Sequence, residues 1–490
     1  MTPDAAGADR PAADRPAHGA DRPTAGGDRP AHGADRFVYD GYRLDPERSR
    51  LTCRYAVGGH RFVERFTFDP GGDWEAAAAD AAARLVYLLA GVSYYKTFAP
   101  PVVDLGDLAT TAAERRFLRT FYVEGLGEFG FRNGLDLSGL VVTGPDLDHR
   151  DPAPYQPAGG GRPLVPFGGG IDSVVTVEEV RGRHPEASLF VVSRAGDRFD
   201  AVEAAAAVTG LPVVRAEREI DPAVLRSAAL GFLNGHVPVT GVLSAVAVMA
   251  AVLGGHDAVV MSNERSASAP TVVAEGRAVN HQWSKGLAFE SGFGDLVAGS
   301  LKGGPAYFSL LRPCSELWVA ARFAGLAEYH GAFRSCNRAF TIDRERRLDR
   351  WCGTCDKCCF IDLVLAPFLA PSALGAIFGG GEPLADAGLT DRFRSLAGTG
   401  RDPKPFECVG DLDECRAAVV LAAGRPDRAG NAVLEALLGD LDRAGARPTE
   451  ASAETLLGPS GPHRIPDDFR PEDVPAAVPA GGPADPATSR

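Results

Sequence analysis

The sequence predicts an α/β fold in which helices cover both faces of a parallel sheet, preceded by a smaller α+β domain. The main observation is that short apolar strands alternate with helical segments after residue 163. Strands are predicted at 164–167, 188–193, 211–215 and 258–262, with helices between them at 174–181, 200–209 and 241–253. Such alternation is typical of a parallel sheet, because each helix carries the chain back to the start of the next strand.

The second observation is a different pattern in residues 37–150. Alternating apolar residues at 51–55 and 61–68 flank Gly58 and Gly59, which predicts a hairpin, and helices are predicted at 73–89 and 114–122. The stretch 151–162 is rich in Pro and Gly and is the predicted domain boundary. We therefore expect an α+β domain at 37–150 and an α/β domain at 163–425.

Both ends of the chain have a composition typical of disorder. After Met1, residues 1–36 repeat Asp-Arg-Pro-like units without aromatic or long aliphatic side chains, and residues 458–490 are rich in Pro and Ala. Such segments bury too little apolar surface to offset the entropy lost on ordering. We expect both tails to be disordered, with a helix at 426–457 before the second.

Bulk composition limits the possible functions. The net charge of −13 disfavours nucleic acid as a partner, because binding phosphates requires clustered Lys and Arg. No stretch reaches the roughly 18 unbroken apolar residues of a membrane span, and no apolar secretory signal is visible. We expect a cytoplasmic protein without membrane insertion. The composition does not indicate an oligomeric state.

A glycine-rich turn lies between the first predicted α/β strand and its helix. It comprises Gly168, Gly169, Gly170, Ile171, Asp172 and Ser173. Successive glycines can point several backbone N–H groups at one anion, and the following helix dipole favours negative charge. The turn resembles the pyrophosphate loop Ser-Gly-Gly-x-Asp-Ser of the N-type ATP pyrophosphatases, with Gly168 replacing the Ser. The resemblance implies a nucleotide alpha hydrolase-like (PP-loop) domain that binds ATP; the alternative is a glycine turn without a ligand.

Four cysteines have the spacing of a metal site. Cys352, Cys355 and Cys358 form two overlapping C-x-x-C steps, and Cys336 lies upstream. Four thiolates around one tetrahedral ion describe a structural zinc site, predicted here as a knuckle at 336–359. Unligated buried thiols or a redox pair are the alternatives. A pyrophosphate loop followed by a zinc knuckle also occurs in 7-cyano-7-deazaguanine synthases, so another adenylating ligase remains an alternative function.

Longer motifs narrow the interpretation. They are Gly91–Lys96, Gly125–Glu128, Asn133–Asp136, Ser262–Ser268, Val279–Lys285, Arg312–Leu317 and Trp351–Phe368. Together they resemble the UDP-N-acetyl-muramoyl-L-alanyl-L-glutamate epimerases of peptidoglycan synthesis, over about residues 37–425. The resemblance implies ATP- and Mg²⁺-dependent inversion of the terminal L-Glu of a UDP-muramoyl dipeptide, with release of AMP and diphosphate.

Candidate site residues follow from sheet topology and from these motifs. Ligands of open α/β sheets bind at the carboxyl ends of the strands, where Ser193, Arg194, Asn263, Glu264 and Arg265 are predicted to lie. His281 and Lys285 are four residues apart and would share a face if their segment is helical. We expect His281, Lys285, Glu264 and Arg265 to act in catalysis, and the turn with Ser193, Arg194 and Asn263 to bind the nucleotide.

Three rival interpretations remain open at this stage. The two residues His281 and Lys285 could lie on a solvated face without a catalytic role. A tRNA thiolase would need a catalytic cysteine, for which Cys314, Cys408 and Cys415 are available. A nucleotide-binding sensor stabilised by zinc would not be an enzyme at all.

Overall fold

A ten-stranded sheet forms the centre of the computed structural model, which describes residues 34–476 except 275 and 342. Fourteen strands lie in the described part of the chain. In chain order they are β1 (Arg36–Asp45), β2 (Arg50–Val57), β3 (His60–Phe68), β4 (Val102–Asp104), β5 (Val141–Thr143), β6 (Ala153–Pro154), β7 (Pro163–Pro166), β8 (Ser188–Arg194), β9 (Val213–Glu219), β10 (Ala258–Met261), β11 (Val272–Ala274), β12 (Arg277–Val279), β13 (Leu301–Lys302) and β14 (Ala306–Ser309).

The main sheet has the order β14-β10-β7-β8-β9-β3-β2-β1-β4-β5. Its pairs from β14 to β9 are all parallel, as the strand–helix alternation predicts. The pairs β9–β3, β3–β2 and β2–β1 are antiparallel, and β1–β4 and β4–β5 are again parallel. The α/β class with a large, mostly parallel sheet is therefore confirmed.

Helices lie on both faces of this sheet. In chain order the described α-helices are α1 (Ala77–Ala90), α2 (Val92–Tyr95), α3 (Ala112–Gly125), α4 (Gly127–Asn133), α5 (Ile171–Arg181), α6 (Asp200–Thr209), α7 (Pro222–Leu225), α8 (Val239–Gly254), α9 (Leu287–Ser300), α10 (Glu316–Ala324), α11 (Asp356–Leu365), α12 (Pro371–Phe378), α13 (Thr390–Ala397), α14 (Leu412–Ala423), α15 (Ala432–Arg443) and α16 (Glu450–Glu454). None of the helices in the described ranges combines the length and apolarity needed to cross a lipid bilayer.

The covering helices create two hydrophobic cores, one on each side of the parallel strands. Val165 and Val260 belong to the core formed with α5, α10 and α11, whereas Leu164 and Val259 belong to the core formed with α1, α8 and α9. Successive strand residues point to opposite faces, so a strand covered on both sides must be apolar throughout. This explains the unbroken apolar runs of β7 and β10.

The predicted boundary at 151–162 does not interrupt the sheet. Strand β3, from the predicted first domain, pairs with β9 from the second, with Phe66 opposite Arg218. A buried ion pair joins the same two strands, where Arg218 Nε donates to Glu64 Oε1 at 2.5 Å. The described residues, 34–476, accordingly form one compact unit.

The C-terminal region differs from its prediction. The single helix expected at 426–457 is two helices, α15 and α16. The expected disorder is wrong for 458–476, where Ile465, Phe469 and Val474 are only 3%, 6% and 1% exposed. Composition misled here because a few spaced apolar side chains anchor a Pro-rich segment to the core. Of the two predicted tails, residues 1–33 and 477–490 lie outside the described residues, and Arg36 already begins β1.

Candidate active site

The glycine turn connects β7 to α5, as predicted. Gly170 is the N-cap of α5 and no side chain caps its first amides. Gly169 has φ +75°, and a Cβ there would lie 2.8 Å from the Ala201 carbonyl oxygen. Gly168 is exposed, with no atom within 4 Å of its Cβ position. Ser173 Oγ donates to the Gly170 carbonyl at 3.0 Å, so this hydroxyl fixes the turn. The turn is tightly packed at Gly169 and open at Gly168.

An arginine-lined cleft of about 590 Å³ adjoins this turn. Its lining includes Asp197, Arg198, Glu217, Arg334, Arg344 and Arg347. Two contacts connect the cleft to the turn. Ala201, which approaches Gly169, also lines the cleft, and Ser335, next to Arg334, lies 2.9 Å from the Cβ position of Gly170. Cleft and turn therefore form one continuous surface.

The arginines of this cleft differ in what they bind. Arg347 binds Asp197 through two hydrogen bonds of 2.9 Å, and this hydrogen bonding lowers the pKa of Asp197 to about 2. Arg334 Nε, in contrast, is buried and has no hydrogen-bond partner among the described residues. A buried donor without a partner costs free energy, so Arg334 has an unused capacity to bind an anion.

Asp172, the fifth residue of the turn, belongs to a cluster of buried ionisable groups. Burial and the nearby Glu264 raise the pKa of Asp172 to about 7, and its Oδ1 has no hydrogen-bond partner among the described residues. Glu316 and Glu414 are buried close by, where the Glu316 backbone N–H donates to Glu414 Oε1 at 3.0 Å. Burial raises the pKa of Glu414 to about 8. These carboxyl groups are consequently harder to ionise than in water.

A thiol lies within this cluster between two cationic groups. Lys285 Nζ is 3.1 Å from Cys408 Sγ, and His281 hydrogen-bonds the same sulfur. Burial alone would raise the pKa of Cys408, but the charge of Lys285 and the hydrogen bond with His281 lower it to about 6. Burial alone would lower the pKa of His281, but hydrogen bonds with Cys408 and Glu128 raise it to about 9. At neutral pH the pair is a thiolate and an imidazolium.

Glu128 orients the imidazole from its far side. Its Oε2 accepts a short hydrogen bond from His281 Nδ1, and its Oε1 accepts one from Arg132 Nε at 2.6 Å. The His236 ring lies beside that of His281, with centroids 4.2 Å apart and a tilt of 43°, and burial lowers the pKa of His236 to about 4. The nearest oxygen or nitrogen atoms of Glu128, His236 and His281 lie within 4.8 Å of one another. Because both Glu128 oxygens already accept hydrogen bonds, we interpret the group as a hydrogen-bonded chain ending at Cys408.

Arg312 fixes the backbone around the cluster. Its Nη1 donates to the Glu264 carbonyl at 2.7 Å, its Nη2 donates to the Lys285 carbonyl, and its Nε pairs with Glu290 at 2.8 Å. The guanidinium is almost fully buried. It therefore joins the segment after β10 to the segment that carries His281 and Lys285.

Only some of the predicted site residues lie in the buried cluster. His281 and Lys285 are not on an α-helix, because Trp283–Lys285 is a short 3-10 turn, yet both reach Cys408. Glu264 joins the cluster, whereas Arg265 binds Ser460 of the C-terminal segment. The remaining predicted residues stand at strand ends.

Asn263 is buried after β10, where its backbone N–H donates to Ser309 Oγ at 2.6 Å. Ser193 is half-buried and Arg194 is exposed at the end of β8. Neither lines the cleft, which begins two residues later at Gly196.

Sequence reasoning did not identify Glu128, Glu316 and Glu414 as site residues, nor Lys357, whose Nζ donates to the Cys408 carbonyl oxygen. It considered Cys408 only as a spare cysteine. Glu128 and His281 are 153 residues apart in the chain, and Lys285 and Cys408 are 123 apart. Glu128 and Glu316 do lie within motifs that carry the family resemblance. Their position in those motifs was the signal that could have identified them as site residues.

The four clustered cysteines have the geometry of a metal site. The Sγ atoms of Cys336, Cys352, Cys355 and Cys358 lie within 4.8 Å of one another, with Cys355 and Cys352 at 3.4 and 3.6 Å from Cys358. A tetrahedral ion with Zn–S bonds of about 2.3 Å places its sulfurs about 3.8 Å apart. The Cys355 backbone N–H also points to Cys352 Sγ at 3.4 Å. These residues could hold a zinc ion.

Comparison with known proteins assigns the chain. Residues 29–310 match the MurL N-terminal domain, and residues 332–452 match the MurL C-terminal domain. The chain belongs to the MurL family. Relatives named UDP-N-acetyl-alpha-D-muramoyl-L-alanyl-L-glutamate epimerase come from Xanthomonas oryzae, Salinispora tropica and Micromonospora, at 40%, 36% and 35% identity. The matches cover 86%, 88% and 88% of this chain and 93%, 93% and 96% of the relatives.

These relatives are epimerases, so this MurL family member is an enzyme of the isomerase class. No solved structure matches the chain significantly. The resemblance found in the sequence motifs is therefore confirmed by whole-length similarity.

Proposed function

We propose that this enzyme inverts the terminal L-Glu of UDP-N-acetylmuramoyl-L-Ala-L-Glu to D-Glu, using ATP and releasing AMP and diphosphate. One observation supports the ATP dependence: the glycine turn packs against Ala201 of the arginine-lined cleft, and its Asp172 belongs to a buried cluster that contains Lys285 and Cys408. This arrangement suits a nucleotide on one side of the turn and an acid to be activated on the other. The names of the relatives supply the substrate class.

Activation by ATP solves a charge problem. Removing the α-proton of a free carboxylate would place a second negative charge beside the first. Transfer of AMP to the carboxyl group cancels its charge, and the resulting acyl-adenylate can accept the electron pair. Hydrolysis of the adenylate after inversion then makes the cycle irreversible.

The turn supplies the phosphate-binding groups in this proposal. The uncapped amides at the start of α5 and the helix dipole stabilise the departing diphosphate. The unpartnered Nε of Arg334 donates to a phosphate from the cleft side. The Asp172 carboxylate fits a Mg²⁺ ligand, because its buried Oδ1 has no hydrogen-bond partner among the described residues. When bound, Mg²⁺ neutralises part of the phosphate charge.

The four cysteines are proposed to bind a structural zinc ion. Four thiolates leave no open position for water, so the ion would not take part in the chemistry. Its proposed role is to connect Cys336, which follows the cleft residue Arg334, to the start of α11.

The direct test is incubation of the full chain with the L,L-dipeptide nucleotide, ATP and Mg²⁺ in D₂O. We expect AMP, diphosphate, D-Glu by chiral chromatography and deuterium at the α-carbon. An adenylating ligase would form AMP without changing the configuration. Unchanged L-Glu without AMP would contradict the proposal.

Variants at the cleft test where ATP binds. Arg334→Ala is expected to raise the KM for ATP at least tenfold, because it removes the buried donor. Arg346→Ala is the matched control, since this side chain is 84% exposed and pairs only with Asp343 in the described structure. Equal KM values for both variants would show that the nucleotide does not bind in the cleft.

A further inference from the structure

We propose that the Cys408 thiolate is the base that removes the α-proton of the adenylated glutamyl group. The inference rests on the proposed function, which leaves the proton-transfer group unassigned. Cys408 lies in the segment between α13 and α14, and the residue is half-buried. A chain of hydrogen bonds runs from Glu128 through His281 to Cys408, and the Cys408 sulfur is the nucleophilic group at its end.

Three cationic groups from two separate segments converge on this residue. Lys285 Nζ lies 3.1 Å from the sulfur, His281 hydrogen-bonds it, and Lys357 Nζ donates to the Cys408 carbonyl oxygen. Asp172 is close enough to act on the thiol electrostatically, and Glu264 acts in the same way on Lys285. The electrostatic effect of the cationic groups on the sulfur exceeds that of the carboxylates, and this favours the thiolate over the thiol.

The other basic groups of the cluster are protonated at neutral pH. The thiolate and Glu264 raise the pKa of Lys285 above its ordinary value despite burial, and hydrogen bonds with Cys408 and Glu128 raise the pKa of His281 to about 9. Neither group can accept a proton near pH 7. A thiolate with a pKa of about 6 can, and its pKa is near the range in which general bases are effective.

The position of Cys408 suits a substrate activated at the glycine turn. Asp172, in the first turn of α5, and Cys408 belong to the same buried cluster. An acyl-adenylate formed next to the diphosphate site at the start of α5 would have its acyl group close to Asp172, and so close to the cluster that contains the thiolate.

The proton transfer balances as follows. The thiolate lone pair forms an S–H bond while the Cα–H bond breaks, and that electron pair moves into the carbonyl of the adenylate to give an enolate. A proton from solvent then adds to the opposite face of Cα. The thiol then releases its proton to solvent, which restores the thiolate. One proton enters and one leaves for each inversion.

The test compares Cys408→Ser with the matched control Cys415→Ser in the full chain. Cys415 is buried seven residues further on, and its thiol donates to the Val409 carbonyl oxygen at 3.8 Å. With the L,L-dipeptide nucleotide, ATP, Mg²⁺ and D₂O, Cys408→Ser should lose at least about 100-fold in α-deuterium incorporation, as expected for loss of a general base. Its ATP–diphosphate exchange should stay within a few-fold of wild type.

Measuring ATP–diphosphate exchange and α-deuterium incorporation separately distinguishes a wrong assignment of the base from a wrong proposed function. Deuterium incorporation by Cys408→Ser at a rate near wild type would overturn the assignment of the base. If the unmodified enzyme forms neither AMP nor D-Glu, the proposed function itself fails.

If the Cys408→Ser variant does not fold, alkylation of the wild-type enzyme with iodoacetamide is the alternative test. Labelling of Cys408 should abolish α-deuterium incorporation, and substrate together with ATP should protect the thiol from labelling. Full activity after labelling of Cys408 would overturn the inference.

Discussion

The side-chain amide of Asn337 donates to both carboxylate oxygens of Glu407, at 2.8 and 2.7 Å. Asn337 follows the cysteine ligand candidate Cys336, and Glu407 precedes Cys408. A second link runs from Lys357, next to Cys358, to the Cys408 carbonyl oxygen. The cysteine knuckle therefore holds the segment that carries the thiol.

These links predict that zinc removal impairs proton transfer. Prolonged chelation should lower α-deuterium incorporation at least tenfold, because the Cys408 segment loses both anchors. Metal content by elemental analysis and exchange rate would be measured on the same samples. Asn337→Ala, which breaks one link, should keep the zinc and lose part of the rate. Full exchange activity in protein shown to be free of metal would contradict the prediction.

The two glycines of the turn should respond oppositely to substitution. A Cβ at position 168 meets no atom within 4 Å, and Gly168→Ser adds a hydroxyl beside the proposed phosphate site, so the protein should keep its melting temperature and bind ATP a few-fold more tightly. Gly169→Ala needs φ +75° and places its Cβ 2.8 Å from a carbonyl oxygen. We expect it to lose about 1–3 kcal/mol of stability and most ATP–diphosphate exchange. Similar KM values for ATP in the two variants would contradict the assignment of the turn.

The pH dependence of kcat/KM should form a bell with limbs near 6 and 9. Below the pKa of Cys408, about 6, the thiol holds its proton and cannot act as a base. Above the pKa of His281, about 9, the imidazolium loses the charge that supports the thiolate. The two groups interact, so the limbs belong to the pair.

Glu128→Gln should move the alkaline limb of this profile toward lower pH. The carboxylate favours the charged imidazolium, and the neutral amide does not. The exposed Glu124→Gln is the control and should leave the profile unchanged. An alkaline limb that stays in place in Glu128→Gln would mean that it does not report His281.

The C-terminal segment should contribute to the stability of the fold. Phe469→Ala is expected to cost about 3–5 kcal/mol, because the ring fills a core position and stacks on His184 at 4.1 Å. Asp467→Ala, whose side chain is 88% exposed, should cost little. Urea denaturation measures both. A Phe469→Ala protein as stable as the control would show that the segment does not pack on the core in solution.

The sequence predicted those features that depend on local pattern. The parallel strands, the glycine turn and the cysteine spacing all follow from residues that are near each other in the chain. The pairing of β3 with β9 did not follow, because strand order across a Pro- and Gly-rich linker has no local signal. The same holds for the site, where Glu128, His281 and Cys408 come from three distant segments. Long-range contacts of this kind are specified by the packing of the whole fold.

The seam between β3 and β9 has a consequence for motion. Backbone hydrogen bonds and the Glu64–Arg218 ion pair connect β3 to β9. The N-terminal strands and the parallel strands therefore cannot separate by a hinge motion. Any rearrangement on nucleotide arrival has to come from the segments that follow the strands. Small-angle scattering with and without ATP should accordingly give the same radius of gyration, whereas amide exchange should slow near Gly168 and Cys408.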